Sequence, residues 1–143
     1  TLPLRMQQHM RNTEKLVQFL ADQPFVARVG HPLLPSHPSH ALAQKLLPRG
    51  AGSVFSFDIK GSRAQGKAFI EALKLFSHLA NVGDCRSLVI HPASTTHHRL
   101  SNEALAAAGI GQGTIRLSIG LEDADDLIDD LKRALKAAEK AGG

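Results

Sequence analysis

Two hydrophobic rhythms that cannot belong to one kind of element meet in GTIRLSIGLEDADDLIDDLKRALKAAE, residues 113–139. Thr114, Arg116 and Ser118 alternate with Ile115, Leu117 and Ile119, the period of a half-buried strand. Beyond Glu122 the period becomes helical. Ala124, Leu127, Ile128, Leu131, Leu135 and Ala138 form one apolar stripe over residues 122–139. Glu122, Asp123, Asp125 and Asp126 crowd the start of this segment, and Lys132, Arg133, Lys136 and Lys140 its end, as the helix dipole favours. A strand with one apolar face and a helix with one apolar stripe must each bury that surface, so a sheet with helices laid on it is expected.

The rest of the chain repeats the theme. Residues 3–22 read as an amphipathic helix with Met6, Met10, Thr13, Leu16, Val17 and Leu20 on one face, ended by Pro24. FVARV (25–29) is a strand candidate, and GHPLLPSHPSH (30–40) is a loop stiffened by proline. A short helix, ALAQKLL, stops at Pro48. SVFSFDI (53–59) alternates with Phe55, Phe57 and Ile59 on one side. Residues 63–77 read as a helix with Ala68, Phe69, Ala72, Leu73 and Phe76 inward. SLVI (87–90) is a short apolar strand, HPASTTHHRL a polar loop, and SNEALAAAG a short helix stopped by Gly109. The expected fold class is α+β, an α/β sandwich: a small, mainly antiparallel four-stranded sheet with helices packed on one face.

With 143 residues, 43% hydrophobic and 21% charged, the chain can bury one ordinary core. No segment reads as a signal peptide or as a membrane span, so no membrane partner is expected. A single cysteine cannot form an internal disulfide, and a reducing cytoplasm is the expected compartment. The net charge of +4 comes from scattered residues, and Trp and Tyr are absent. Neither a basic run nor stacking platforms point to nucleic acid. TLPLRM opens a helix at once, which fits either processing that exposes Thr1 or a piece of a longer protein.

Few constellations carry chemistry. Eight histidines raise the question of metal, with His37 and His40 three apart and His97 beside His98. They lie in proline-rich loops without a second cysteine, so backbone bonding is the expected role and no metal site is expected. Cys85 lies between Asp84 and Arg86 with no histidine nearby in sequence to serve as a base. GIGQG precedes a strand, the wrong order for a phosphate loop. Arg116 remains. It is either a solvated strand residue or a fork that grips a carboxylate or phosphate with two parallel hydrogen bonds.

LFSHLANVGDCRSLVIHPASTTHHRLS, followed by GTIRLSIGLEDADDLIDDLKRAL, resembles the C-terminal part of the Cys/Met-metabolism family of pyridoxal-phosphate enzymes. TLPLRM and LPSHPSHALA resemble it too, so the likeness covers essentially the whole chain. It implies that residues 1–143 form the smaller C-terminal domain, with residues 1–22 in the interdomain helix and the large cofactor domain outside the chain. The arginine of the IRLS segment, Arg116, would bind the substrate's α-carboxylate, with Ser87 beside it. Arg86 would lie near the pocket wall and help select the leaving group; a surface arginine at a turn is the equal alternative. Thr95 and Thr96 would belong to a loop near the site.

The branch most resembled exchanges the acetoxy group of O-acetyl-L-homoserine for sulfide, giving homocysteine and acetate. A methionine γ-lyase, an O-succinylhomoserine enzyme and a stand-alone carboxylate-binding module remain open. The complete enzyme would use pyridoxal 5'-phosphate and pair this domain with its own large domain in a homotetramer. The family's cofactor lysine, phosphate loop, pyridine-pairing aspartate and tyrosines have no counterpart in this sequence. No catalytic residue is therefore assigned to the chain, and by itself it is expected to bind no cofactor and to be inactive.

Overall fold

The computed structural model describes residues 1–142. Its helices are α1 (Leu2–Ala21), α2 (His40–Leu46), α3 (Arg63–Ala72), α4 (Asn102–Ala107) and α5 (Ala124–Ala141). The strands are β1 (Val26–Gly30), β2 (Val54–Ile59), β3 (Ser77–His78), β4 (Leu88–Ile90) and β5 (Thr114–Ser118), and one 3₁₀ turn spans Pro92–Ser94. The sheet has five strands in the order β1-β2-β5-β4-β3. Every pairing is antiparallel except β3 with β4, which is parallel. The four-stranded antiparallel expectation is thus corrected to a mixed five-stranded sheet. β3 is only two residues at the edge, too short to leave a periodic signal.

One face of the sheet carries Phe55, Phe57, Ile59, Val89, Ile115, Leu117 and Ile119 against α1, α3 and α5. From α5 come Leu127, Leu131, Ala134, Leu135 and Ala138, and from α1 come Leu16, Val17 and Leu20. The helix α5 begins at Ala124, two residues after the start at 122 that the sequence suggests. Asp123 is its N-cap, with a carboxylate accepting from the N–H of Asp125 at 2.8 Å and of Asp126 at 3.3 Å, worth about 1 kcal/mol.

Three local departures have physical causes. In β1, Val26 and Val29 both face the core despite their spacing, because the register slips between Val26 and Arg28. On α1 the inward face near the N-terminus is His9 and Asn12 rather than Met6 and Met10, which stay half-buried. His9 Nδ1 lies 2.6 Å from the Ile119 carbonyl, and Asn12 Nδ2 donates to the carbonyls of Gly120 (3.0 Å) and Glu122 (2.7 Å). The third is α3, which ends at Ala72 although apolar helical spacing runs on to Phe76. The fully buried Asp130 carboxylate accepts the backbone N–H groups of Lys74, Leu75 and Phe76, the shortest at 2.7 Å, and draws that segment out of the helix.

The histidines mostly serve the backbone, as their loop positions suggest. Six of the eight, His9, His31, His37, His40, His91 and His98, hydrogen-bond a main-chain group. Among the described residues no group of three His, Cys, Asp or Glu side chains could hold a metal ion. His91 is buried between the Gln112 carbonyl (2.6 Å) and the Ser94 hydroxyl (2.7 Å). Burial pushes the His91 and His31 imidazoles below their ordinary range.

The unfolded chain therefore takes up protons first as pH falls, so stability is fully present above about pH 6.5 and declines below it. The urea midpoint should drop between about pH 7 and pH 5, and His91→Gln should flatten that slope. A pH slope unchanged by the substitution would contradict the assignment.

Candidate functional site

Strand alternation sends Ile115 and Leu117 into the core and Arg116 to the opposite face. Register places Ser56 of β2 and Ile90 of β4 beside Arg116 on that face. The nearest acidic strand residue, Asp58, is already engaged. It accepts from Thr114 Oγ1 at 2.5 Å and pairs with Arg28 Nε at 3.1 Å. Arg116 forms no ion pair among the described residues. The residue is half-buried, and its one protein hydrogen bond among the described residues is a long one, Nη2 to the Asn81 carbonyl at 3.5 Å. At that length the bond is weak. A fork held in a sheet, uncompensated and only lightly tethered, is equipped to take a carboxylate in two parallel hydrogen bonds.

The segment between β3 and β4 forms the other side of the site. It folds back so that the N–H of Gly83 donates to Ser118 Oγ (3.2 Å) and the N–H of Leu121 donates to the Cys85 carbonyl (2.8 Å). This return brings Asn81 to Arg116, a neighbour not visible in the sequence. Asn81 is exposed, and its Oδ1 accepts from the N–H of Val82 at 2.9 Å.

Ser87 is placed differently from the expectation that its side chain sits beside Arg116. Leu88 pairs with Ser118 and so shares the Arg116 face; alternation turns the preceding Ser87 side chain away. Its hydroxyl is fully buried, donates to Glu122 Oε2 (2.8 Å) and accepts from the Gly120 N–H (2.8 Å). Glu122, read in the sequence as part of the dipole cluster, lies outside α5 and holds Ser87 instead.

Arg86 is exposed and bound to Asp84, with Nη2 to Oδ2 at 3.0 Å and its own backbone N–H to Oδ1 at 2.9 Å. Hydrogen bonding from Arg86 holds the Asp84 carboxyl well below the usual carboxylate range. Cys85 is free and exposed. Thr95 Oγ1 donates to the His91 carbonyl at 2.8 Å and closes the turn after β4. Arg63 reaches the same loop, donating to the carbonyls of Ala93 (2.9 Å) and Leu100 (2.8 Å).

The eight lysines give no sign of a cofactor cradle. All are exposed, on α1, α2, α3 and α5 or in the turns after β2 and α3, and none shares the strand face of Arg116.

The geometry is that of an α+β domain in which a half-buried arginine, without an ion pair among the described residues, lies on the sheet face opposite the core under a returning loop. The model of the family described as Cys/Met metabolism PLP-dependent enzyme matches residues 1–136, and the chain belongs to that family. It is 52% identical over 135 residues to an O-acetyl-L-homoserine sulfhydrylase of Thermus thermophilus, covering 94% of this chain and 32% of the relative. An L-methionine gamma-lyase of Pseudomonas putida is 44% identical over 138 residues, covering 96% and 34%.

Among solved structures, an O-acetylhomoserine (thiol)-lyase from Campylobacter jejuni carrying a pyridoxyl-lysine monophosphate superposes with a TM-score of 0.87 at 44% identity. That match covers 95% of this chain and 32% of the other. A cystathionine gamma synthase from Xanthomonas oryzae in complex with cystathionine gives 0.89 at 40% identity, over 99% and 36%. The chain thus spans about a third of the length of the curated relatives it matches.

Proposed function

We propose that this chain is the C-terminal domain of a pyridoxal-phosphate enzyme that converts O-acetyl-L-homoserine and sulfide to L-homocysteine and acetate, and that its part is to hold the substrate's α-carboxylate on Arg116. The observation that carries the reading is the Arg116 guanidinium: on the sheet face away from α5, and among the described residues without an anionic partner and hydrogen-bonded only to the Asn81 carbonyl. Each charge-assisted hydrogen bond contributes about 1.5–3 kcal/mol, and a two-point grip fixes orientation as well as position. Asn81 forms the neighbouring wall. Ser87 acts from behind the site, by fixing the chain rather than by donating to substrate.

In this reading the cofactor and its lysine belong to the large domain of the complete enzyme, and α1 is part of the interdomain helix. The complete enzyme is a cytoplasmic homotetramer in this reading. The identities favour sulfide exchange on the acetyl ester, since sulfhydrylases of that kind stand at 52%, 47% and 46%. The methionine γ-lyase at 44% and an O-succinylhomoserine sulfhydrylase at 46% keep the second readings alive. Assaying the complete enzyme with acetyl- and succinyl-homoserine plus sulfide separates them. Faster turnover of the acetyl ester is expected, and preference for the succinyl ester, or methionine cleavage as the dominant activity, would overturn the choice.

Arg86 bears on that choice. Its charge is neutralised by Asp84, which suits a leaving group without an extra carboxylate. Arg86→Glu should lower use of the succinyl ester relative to the acetyl ester several-fold, through repulsion at short range. An unchanged ratio would remove Arg86 from substrate selection.

A further inference from the structure

We infer that Glu122 is a positioning residue for the carboxylate clamp, acting through Ser87 and Gly120; this rests on the reading of Arg116 given above. The two walls of the site leave the sheet at one end. Strand β5, which carries Arg116, exits through Ile119 and Gly120. The loop that carries Asn81 enters β4 through Ser87. The Glu122 carboxylate ties these two exits together. Oε1 accepts the Ser87 N–H at 2.6 Å and Oε2 accepts the Ser87 hydroxyl at 2.8 Å. The same hydroxyl accepts the Gly120 N–H at 2.8 Å, so one carboxylate and one hydroxyl fix both segments.

The surroundings close the knot. The Leu121 N–H donates to the Cys85 carbonyl at 2.8 Å. A Cβ on Gly120 would collide with the Cys85 carbonyl oxygen, the Arg86 carbonyl carbon and the Glu122 carboxylate, so glycine is what permits this approach. From the other side, Asn12 of α1 donates to the carbonyls of Gly120 and Glu122. The knot therefore links α1 to both walls. Ser87, Gly120 and Glu122 add no apolar side chain to the cluster that α1, α3 and α5 form on the sheet. Loosening them is expected to act first on the mouth of the site.

A carboxylate is required here. A glutamine can accept the Ser87 N–H, but its NH₂ would then face the Ser87 hydroxyl, which already accepts from Gly120. The hydroxyl proton would lose its acceptor, and an unmade hydrogen bond in a buried place is costly.

The test is a double-substitution cycle in the complete enzyme, using O-acetyl-L-homoserine and sulfide as substrates. Glu122→Gln should raise KM for the amino acid roughly tenfold, with kcat and KM for sulfide changed by less than about threefold. In an Arg116→Lys background the same change should cost less than about threefold, because the group it positions is already gone. Glu122→Asp, which keeps the charge, should recover part of the loss. Ser87→Ala should reproduce the glutamine variant and takes its place in the cycle if that variant does not fold.

Equal losses in both backgrounds, a fall in kcat alone, or insolubility of both variants would overturn the inference. If Arg116→Lys itself leaves the kinetics unchanged, the failure belongs to the clamp reading and not to Glu122.

Discussion

Replacing Arg116 with lysine in the complete enzyme should reduce kcat/KM for the amino-acid substrate by well over tenfold. Lysine keeps the positive charge but replaces a planar fork with a single ammonium. One charge-assisted hydrogen bond is lost and the orientation it fixed goes with it, at about 1.5–3 kcal/mol for the bond alone. Each 1.4 kcal/mol is about a factor of ten in rate. The β5 backbone gives no reason for the fold to fail, since Arg116 lies outside the apolar cluster and forms no ion pair among the described residues. The loss should therefore appear with an unchanged unfolding midpoint. Steady-state kinetics with varied amino-acid substrate measure it, and an unchanged kcat/KM would contradict the clamp.

Asp130→Ala should be the most destabilising polar substitution in the chain. This carboxylate is fully buried and accepts three backbone N–H groups from residues 74–76, beside an ion pair to Arg133 Nη2 at 2.5 Å. Alanine leaves those donors without an acceptor and unpins the passage from α3 to β3. A loss of about 3–5 kcal/mol is expected, against a total of roughly 5–15 for an ordinary domain. Arg133→Ala should cost under about 1 kcal/mol, because that side chain is half in solvent and the backbone donors keep the carboxylate satisfied. Urea denaturation of both variants measures the difference. Equal losses would mean that the ion pair, and not the capture of the backbone, holds Asp130.

What the sequence made legible follows from short-range periodicity. The alternation of 114–119 assigned Ile115, Leu117 and Ile119 to the core and Arg116 to the other face without any tertiary information. The stripe and the acidic start of 122–139 likewise located α5 to within two residues, while the capping role of Asp123 came from the structure. Periodicity failed where a distant group overrides the local pattern. Nothing near Phe76 announces that Asp130 will capture the backbone and stop α3. Two residues of β3 are too few to alternate, and a bulge puts Val26 and Val29 on the same side.

The site divides along the same line. The face of Arg116 could be read from its strand, and its proposed role came from family resemblance alone. Ser87 stands close to Arg86 in the motif, but its side chain turns away from Arg116 because Leu88 takes that face. Asn81 reaches Arg116 only because the loop folds back onto Ser118 and Leu121. Glu122 carried a plausible local role at the start of a helix, which concealed its bonds to Ser87.

The most direct measurement is a crystal structure of the complete enzyme with a bound amino-acid substrate or unreactive analogue. The α-carboxylate should lie within hydrogen-bond distance of two Arg116 guanidinium nitrogens, with Asn81 alongside. A carboxylate held by other groups, with Arg116 turned to solvent or to a protein anion, would contradict the account.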